Sequence, residues 1–177
     1  DRTRLVLFNN PHNHTARLFG EDEIGLLARL CVAFGAVALT DEVWEHLVFD
    51  GRRHVPLAAM PGMAERTVKI GSAGKIFSLT GWKVGWTVAP PHLTSAVAKA
   101  HQFVTFTTPP NLQSAVAYGL AKDDAYFHAM RAEFQATRDH LRAGLVAAGF
   151  AVLAADATYF LCVDLAASGI AADDMSF

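Results

Sequence analysis

Gly71-Ser-Ala-Gly-Lys-Ile-Phe-Ser-Leu-Thr-Gly-Trp-Lys-Val-Gly-Trp86 is the most informative stretch of this 177-residue chain. It contains Lys75, with Ser72 three residues before it and Lys83 eight residues after it. A lysine that is desolvated or lies beside another cation becomes a nucleophilic amine. A hydroxyl and a second ammonium group both suit the binding of an anion such as phosphate. The stretch therefore predicts a site in which Lys75 reacts while Ser72 and Lys83 hold an anion.

Predicted strands alternate with predicted helices on both sides of this stretch. Short apolar runs predict strands at 4–8, 36–39, 67–70, 84–88, 150–153 and 158–164. Helical periodicity predicts helices at 21–34 and across 92–148, with breaks near 109–110 and 123–124 and a long last helix at 123–148. This alternation favours an α/β fold with a mostly parallel sheet covered on both faces. We expect a large domain at 1–122, a connecting helix at 123–148 and the start of a smaller domain at 149–177.

Three groups of polar residues follow the ends of predicted strands. Asn13 follows the first strand, Asp41 the second, and the Ser72–Lys75 segment the third. In open α/β sheets, ligands bind at the carboxyl ends of strands. Other interpretations remain open: Asn13 suits an Asx-turn, Asp41 suits a helix N-cap, and the lysines and serine suit an exposed loop. A nucleotide P-loop is rejected, because a lysine and an isoleucine stand where it requires glycine and Ser/Thr.

Together these residues match the needs of pyridoxal phosphate. Lys75 offers an amine to an aldehyde, and Ser72 and Lys83 offer donors to a phosphate. Asp41 would pair with the protonated pyridine nitrogen, which keeps the ring an electron sink. Asn13 would donate to the phenolic oxygen. The sequence thus predicts a site for pyridoxal 5′-phosphate.

Composition limits the other classes of function. The net charge is −2, which is no signature of nucleic-acid binding, and no apolar run reaches the ~18 residues of a membrane span. Two cysteines are too few for a disulfide framework and indicate a reducing, cytoplasmic location. The eight histidines show no ligand spacing, so no metal site is expected. Four aromatic residues are expected in the core: Phe103, Phe106, Tyr118 and Phe127.

The chain resembles the fold-type I, class I/II pyridoxal-phosphate aminotransferases, in the branch of kynurenine and N-succinyldiaminopimelate aminotransferases. The segments 41–51, 61–67, 72–86 and 158–161 are similar to that branch. The resemblance implies a three-layer sandwich, a homodimer, and transfer of an amino group between an amino acid and a 2-oxo acid. It implies that Lys75 forms the Schiff base and moves the proton. It also implies cofactor contacts from Asn13, Asp41, Ser72 and Lys83.

The sequence departs from the family pattern at two places. Trp44 stands where the family usually has a tyrosine whose hydroxyl contacts the cofactor's phenolic oxygen, and an indole has one donor and no acceptor. Asn13-His-Thr-Ala16 replaces the usual Asn-Pro-Thr-Gly. Ala16 would be strained if its position requires a positive φ.

Three hypotheses about function follow. The first is an aminotransferase, with Trp44 also at the cofactor. The second is a cysteine-conjugate C–S β-lyase, because Lys75 serves either route. The third is a non-catalytic remnant or a truncated chain. The resemblance further implies an upstream glycine-rich phosphate loop and a downstream carboxylate-binding arginine outside these residues, so we expect a piece of a longer protein.

Overall fold

This computed structural model describes residues 2–171 and Met175. Within them, the strands are β1 (Leu5–Asn9), β2 (Val37–Asp41), β3 (Thr67–Ser72), β4 (Gly85–Val88), β5 (Ala151–Val152) and β6 (Val163–Asp164). The α-helices are α1 (Glu21–Phe34), α2 (Ala73–Ile76), α3 (Pro91–Val104), α4 (Pro110–Leu120) and α5 (Asp124–Ala147). No helix among these residues is long and apolar enough to span a membrane. The predicted α/β class is confirmed.

The main sheet is mixed and has the order β1-β2-β3-β4. β1 pairs in parallel with β2, and β2 pairs in parallel with β3. β4 is antiparallel to β3, because the short segment between them returns the chain directly beside β3. An antiparallel edge strand on an otherwise parallel sheet is common in α/β folds. The three parallel strands therefore end at the same edge of the sheet, as the sequence predicted.

Helix α1 forms where it was predicted, and its ends show why. The carboxylate of Glu23 accepts a hydrogen bond from the backbone N–H of Gly20 at 3.0 Å, which satisfies a donor at the start of the helix. Gly35 ends the helix with φ 62°, a conformation that glycine adopts without steric cost. Ile24, Ala28 and Cys31 are buried on one helical face and pack in a core cluster with residues of the sheet.

Two smaller clusters bring the later elements against the region around the sheet ends. The first consists of Trp44, Leu47 and Phe49 and packs against side chains of α5. The second consists of Ala73, Val84 and Val116, so it joins α2 to α4. Both clusters lie next to residues of the predicted site. The positions of α4 and α5 are thus fixed partly by the segments that carry the site.

The predicted strand at 158–164 is wrong over most of its length, since only Val163–Asp164 is a strand. Instead, residues 156–158 cross the main domain. The backbone N–H groups of Asp156 and Ala157 both donate to the carbonyl of Ala16, and that of Thr158 donates to the carbonyl of Leu47. Thr158 also has φ 65°, a left-handed conformation, so the chain turns there and does not continue as a strand.

Three of the four predicted core aromatics are exposed, so that prediction is wrong for them. The relative exposures of Phe103, Phe106 and Tyr118 are 85%, 78% and 69%. Helix α3 has no buried residue, so its apolar side chains have no covering layer among the described residues. Phe127 is half-buried and stacks on His46 with ring centroids 4.7 Å apart.

Candidate active site

The carboxyl ends of β1 and β2 are joined by side-chain hydrogen bonds. In the parallel register Asn9 is the partner of Asp41. The side-chain amide of Asn9 donates to the carbonyl of Asp41 at 2.9 Å. The side-chain oxygen of Asn9 accepts the backbone N–H of Asn13 at 2.7 Å. Asn9, which no sequence pattern singled out, therefore fixes the loop that carries Asn13 to the strand end that carries Asp41.

Asn13 and Trp44 are in direct contact. The indole Nε1 of Trp44 donates to Oδ1 of Asn13 at 2.7 Å. Trp44 is 1% exposed, and Asn13 is half-buried. The Nδ2 atom of Asn13 lies 3.3 Å from Nε2 of His14, which uses one of its two hydrogens. One N–H of the Asn13 amide is left for another acceptor.

Lys75 lies in the helical turn that directly follows β3. Ser72 ends β3, and Lys75 belongs to the single helical turn of α2. The Lys75 Nζ atom is 5.1 Å from the ring centroid of Trp44 and 5.9 Å from that of Tyr159. Both distances are within the range of cation–π attraction. The structure thus brings Asn13, Trp44 and Lys75 into one continuous contact.

Tyr159 completes an aromatic wall beside Lys75. Its ring meets that of Trp44 edge to face, with centroids 4.4 Å apart. Half of its side chain is exposed, with a relative exposure of 52%. Tyr159 reaches this position because the crossing at 156–158 ends one residue before it. No pattern in the sequence placed Tyr159 near Lys75, although its segment, 158–161, belongs to the family resemblance.

Asp41 is half-buried at the end of β2. One of its carboxylate oxygens accepts the backbone N–H of Val43 at 3.3 Å. That is an Asx-type turn rather than a helix N-cap, since turns rather than a helix follow Asp41. No ion pair neutralises this carboxylate within the described residues. A cationic partner such as a protonated ring nitrogen would suit it.

Ser72 and Lys83 lie on neighbouring parts of the β3–β4 hairpin. Gly85 is the register partner of Ser72, so Lys83 is two residues from the position opposite that serine. Lys83 is exposed and has φ 57°. Ser72 is half-buried. A Cβ atom added at Gly74 would come within 3.0 Å of the backbone of Thr80, so this turn is closely packed.

The side chains at this edge of the sheet are of the types that pyridoxal phosphate needs for binding. A lysine amine, a carboxylate without an ionic partner, an amide N–H and a hydroxyl gather at the carboxyl ends of the parallel strands, with an ammonium group nearby. They come from four separate segments, and local features hold each one. This set can hold a phosphate, accept a cationic ring N–H and present an amine to an aldehyde.

A second group of ionisable residues includes Glu42, the residue after Asp41, and no pattern in the sequence predicted it. Glu42 is 1% exposed and accepts hydrogen bonds from Nε2 of His54 at 2.8 Å and from the backbone N–H of Leu57 at 3.4 Å. Ligand atoms of Glu42, Glu45 and His54 lie within 4.8 Å of one another. The Lys69 ammonium pairs with both carboxylates and supplies the positive charge that a metal ion would bring. This group is a partly buried ion cluster, and its most buried member, Glu42, is the residue after Asp41.

A third set of charges anchors α5 and the segment after it. Arg138 donates two parallel hydrogen bonds to Asp50 at 2.7 and 2.8 Å, and Arg52 pairs with Asp156. The hydrogen bonds from Arg138 lower the pKa of Asp50 below its ordinary value. Burial lowers the pKa of His46, on which Phe127 stacks.

Comparison with known proteins gives one consistent answer. The sequence profile of the family "Aminotransferase class I and II" matches residues 1–177. The chain is 47% identical over 163 residues to a probable N-succinyldiaminopimelate aminotransferase of Mycobacterium tuberculosis, covering 92% of this chain and 41% of that protein. It is 37% identical over 171 residues to human kynurenine–oxoglutarate transaminase 1, covering 93% and 40%.

Solved structures agree with the sequence comparison. N-succinyldiaminopimelate aminotransferase from Mycobacterium tuberculosis superposes with a TM-score of 0.93 at 45% identity, over 98% of this chain and 45% of that one. A methionine aminotransferase from Escherichia coli superposes with a TM-score of 0.92 at 34% identity, over 98% and 45%. The chain spans about two fifths of the length of the curated relatives that it matches.

Proposed function

The chain belongs to the class I and II aminotransferase family, and we propose that its protein is a pyridoxal-phosphate-dependent aminotransferase. In this proposal it moves an amino group between an amino acid and a 2-oxo acid. The observation that carries the proposal is the position of Lys75. Its amine follows the last parallel strand and lies 5.1 Å from the ring of Trp44, which is hydrogen-bonded to Asn13. The relatives named above are aminotransferases, which does not favour the β-lyase or remnant hypotheses.

When bound, pyridoxal phosphate supplies an aldehyde and an electron-accepting ring. In our proposal Lys75 Nζ is the nucleophile toward that aldehyde. The same amine, once free, would take a proton from the substrate α-carbon and deliver it to the C4′ position of the cofactor. Half-burial beside two aromatic rings shields the amine from part of the bulk water.

The remaining residues would hold the cofactor. Asp41 would accept the pyridinium N–H, and its place beside a buried strand end favours a charged partner over water. The free N–H of Asn13 would donate to the phenolic oxygen. Ser72 and Lys83 would donate to the phosphate, and Trp44 would pack at the ring end of the site. Each role is consistent with the chemistry of the side chain.

We also propose the domain division and the assembly. Residues 1–122 form part of the large domain, residues 123–148 connect, and residues 149–177 begin a smaller one. The separate two-stranded sheet of β5 and β6 supports that boundary. A homodimer is proposed by analogy with the family. A cytoplasmic location is proposed because Cys31 and Cys162 are both free thiols.

The experiment that tests the function is covalent trapping on the protein expressed from its full reading frame. Pyridoxal phosphate is added, borohydride reduces any imine, and the labelled peptide is mapped by mass. We expect the label on Lys75 and its loss in Lys75→Ala. Lys99→Ala is the matched control, because Lys99 is an exposed lysine on α3 and should not change labelling. Label spread over surface lysines, or retained in Lys75→Ala, would refute the assignment.

Transamination is then measured with a mixture of amino acids and 2-oxoglutarate. We expect Lys75→Ala to lose turnover while it keeps some non-covalent binding of the cofactor, because the other contacts remain. Turnover at the rate of the unsubstituted protein would contradict the proposed role of Lys75. Pyruvate released from a cysteine conjugate without a 2-oxo acid would favour the β-lyase instead.

A further inference from the structure

The indole of Trp44 settles the orientation of the Asn13 amide. An indole N–H donates and cannot accept, so the atom of Asn13 that lies 2.7 Å from it must be the oxygen. The amide nitrogen of Asn13 therefore points away from Trp44, with one hydrogen toward His14 and one unused. A carboxamide without such a partner can turn over and present its oxygen instead. Trp44 removes that freedom.

The same contact excludes the simplest role for Trp44. A tyrosine at this position could donate its hydroxyl to the cofactor. Trp44 has a single donor, and Asn13 already accepts it. Trp44 is also 1% exposed, which leaves its N–H no room to turn toward a ligand. Any hydrogen-bonding effect of Trp44 on a bound cofactor must therefore pass through Asn13.

Trp44 also contacts the reactive amine. The ring of Trp44 lies 5.1 Å from Lys75 Nζ, and Tyr159 packs edge to face on the same ring. One side chain thus orients the amide through its N–H and attracts the ammonium group through its π-system. The two groups are positioned together rather than separately.

We propose that Trp44 is a positioning residue that locks the Asn13 carboxamide as a hydrogen-bond donor to the phenolic oxygen of the cofactor while its ring holds Lys75 alongside. This inference rests on the proposed function. It assigns to Asn13 the donor role that the family divides between an amide and a tyrosine hydroxyl. It also explains how this chain can hold the cofactor without that hydroxyl.

The test is a double-substitution cycle on the protein from its full reading frame, with pyridoxal phosphate as the ligand. Trp44→Phe removes the N–H and keeps an aromatic ring. We expect the dissociation constant of the cofactor to rise about five- to tenfold, which is the loss of one net hydrogen bond. In an Asn13→Ala background, Trp44→Phe should change the dissociation constant less than twofold, because the amide through which Trp44 acts on the cofactor is already absent.

A spectroscopic measurement separates positioning from a merely structural role. A donor to the phenolic oxygen stabilises its anion, so losing that donor should raise the pH midpoint at which the absorption of the bound cofactor changes. We expect the rise in Trp44→Phe. Phe49→Leu is the matched control, because Phe49 lies in the same buried cluster as Trp44. That variant should lose stability and keep the midpoint.

Because Trp44→Phe leaves a small cavity, benzothienylalanine incorporated at position 44 serves as the second variant. Sulfur replaces the N–H in a ring of nearly the same shape, so folding is preserved and only the hydrogen bond is lost. An unchanged dissociation constant and midpoint in this variant, or additive effects in the cycle, would overturn the inference. If Lys75 is still labelled in that case, the proposed function stands. Absence of label at Lys75 in the unsubstituted protein would overturn both.

Discussion

Gly71→Ala should destabilise the protein through a single clash on the strand that leads to Ser72. Gly71 and Trp86 are register partners on β3 and β4. A Cβ atom at Gly71 would lie 2.4 Å from two atoms of the Trp86 indole, Cε2 and Nε1. Ordinary carbon contacts begin near 3.5 Å, so the ring must move by about 1 Å.

The expected cost follows from that displacement. Trp86 packs on the cluster of Ala73, Val84 and Val116, which limits where its ring can go. Overpacking of this kind costs about 1–3 kcal/mol. The clash should disappear when the ring is absent. We therefore expect Gly71→Ala to cost at least about 1 kcal/mol less in a Trp86→Ala background than in the native one.

The assay is urea unfolding of the single and double variants. Gly81→Ala is the matched control, because a Cβ at Gly81 would meet no atom within 4 Å. It should change the free energy of unfolding by less than about 0.5 kcal/mol. The clash is not what requires glycine at position 71 if Gly71→Ala costs as little as this control. The same conclusion follows if the effects of Gly71→Ala and Trp86→Ala on the free energy of unfolding are additive.

Two further predictions concern the charged groups. Asp50→Asn should lower stability at neutral pH by less than about 1 kcal/mol, because the carboxylate is half-exposed. Arg138 lowers the folded pKa of Asp50, so this contribution is present above the unfolded pKa of about 3.9 and is lost as pH falls through the folded pKa. Urea unfolding of both proteins from pH 7 to pH 3 should show the difference shrink; a difference that grows toward acid would contradict it. Glu42→Ala should cost about 3–5 kcal/mol, because it removes the buried acceptor of His54 and of the backbone N–H of Leu57. Glu45→Ala should cost less, since Glu42 still faces Lys69, and equal losses in thermal or urea unfolding would argue against the buried cluster.

The sequence predicted those features that local pattern determines. Apolar runs located the four strands of the main sheet within two residues at every end, and helical spacing located α1. The sequence also predicted that Asn13, Asp41 and Lys75 lie at one edge of the sheet, because each follows a strand and parallel strands end at the same edge. Ala16 has φ 56°, so it adopts the positive φ at which the sequence predicted strain for an alanine.

Features that depend on distant partners could not be predicted. The segment 158–162 has the composition of a strand, yet the chain turns at Thr158, which has φ 65° and whose backbone N–H donates to the distant carbonyl of Leu47. The link between Trp44 and Asn13 joins residues 31 positions apart, and Tyr159 approaches Lys75 from much farther along the chain. The exposure of Phe103 on α3 and of Phe106 just after it depends on what packs against that part of the chain, which local sequence does not encode.

The crossing at 156–158 has a consequence for the order of folding. Asp156 accepts the backbone N–H of Leu18 across 138 positions of the chain. Closing so long a loop costs roughly 4 kcal/mol of chain entropy, whereas α1 forms from neighbouring residues. We therefore expect the sheet and its polar edge to assemble first and Tyr159 to arrive last. Until then Lys75 lacks one of the two aromatic rings that lie beside its amine, so the last long-range contact to form is also the one that completes the surroundings of Lys75.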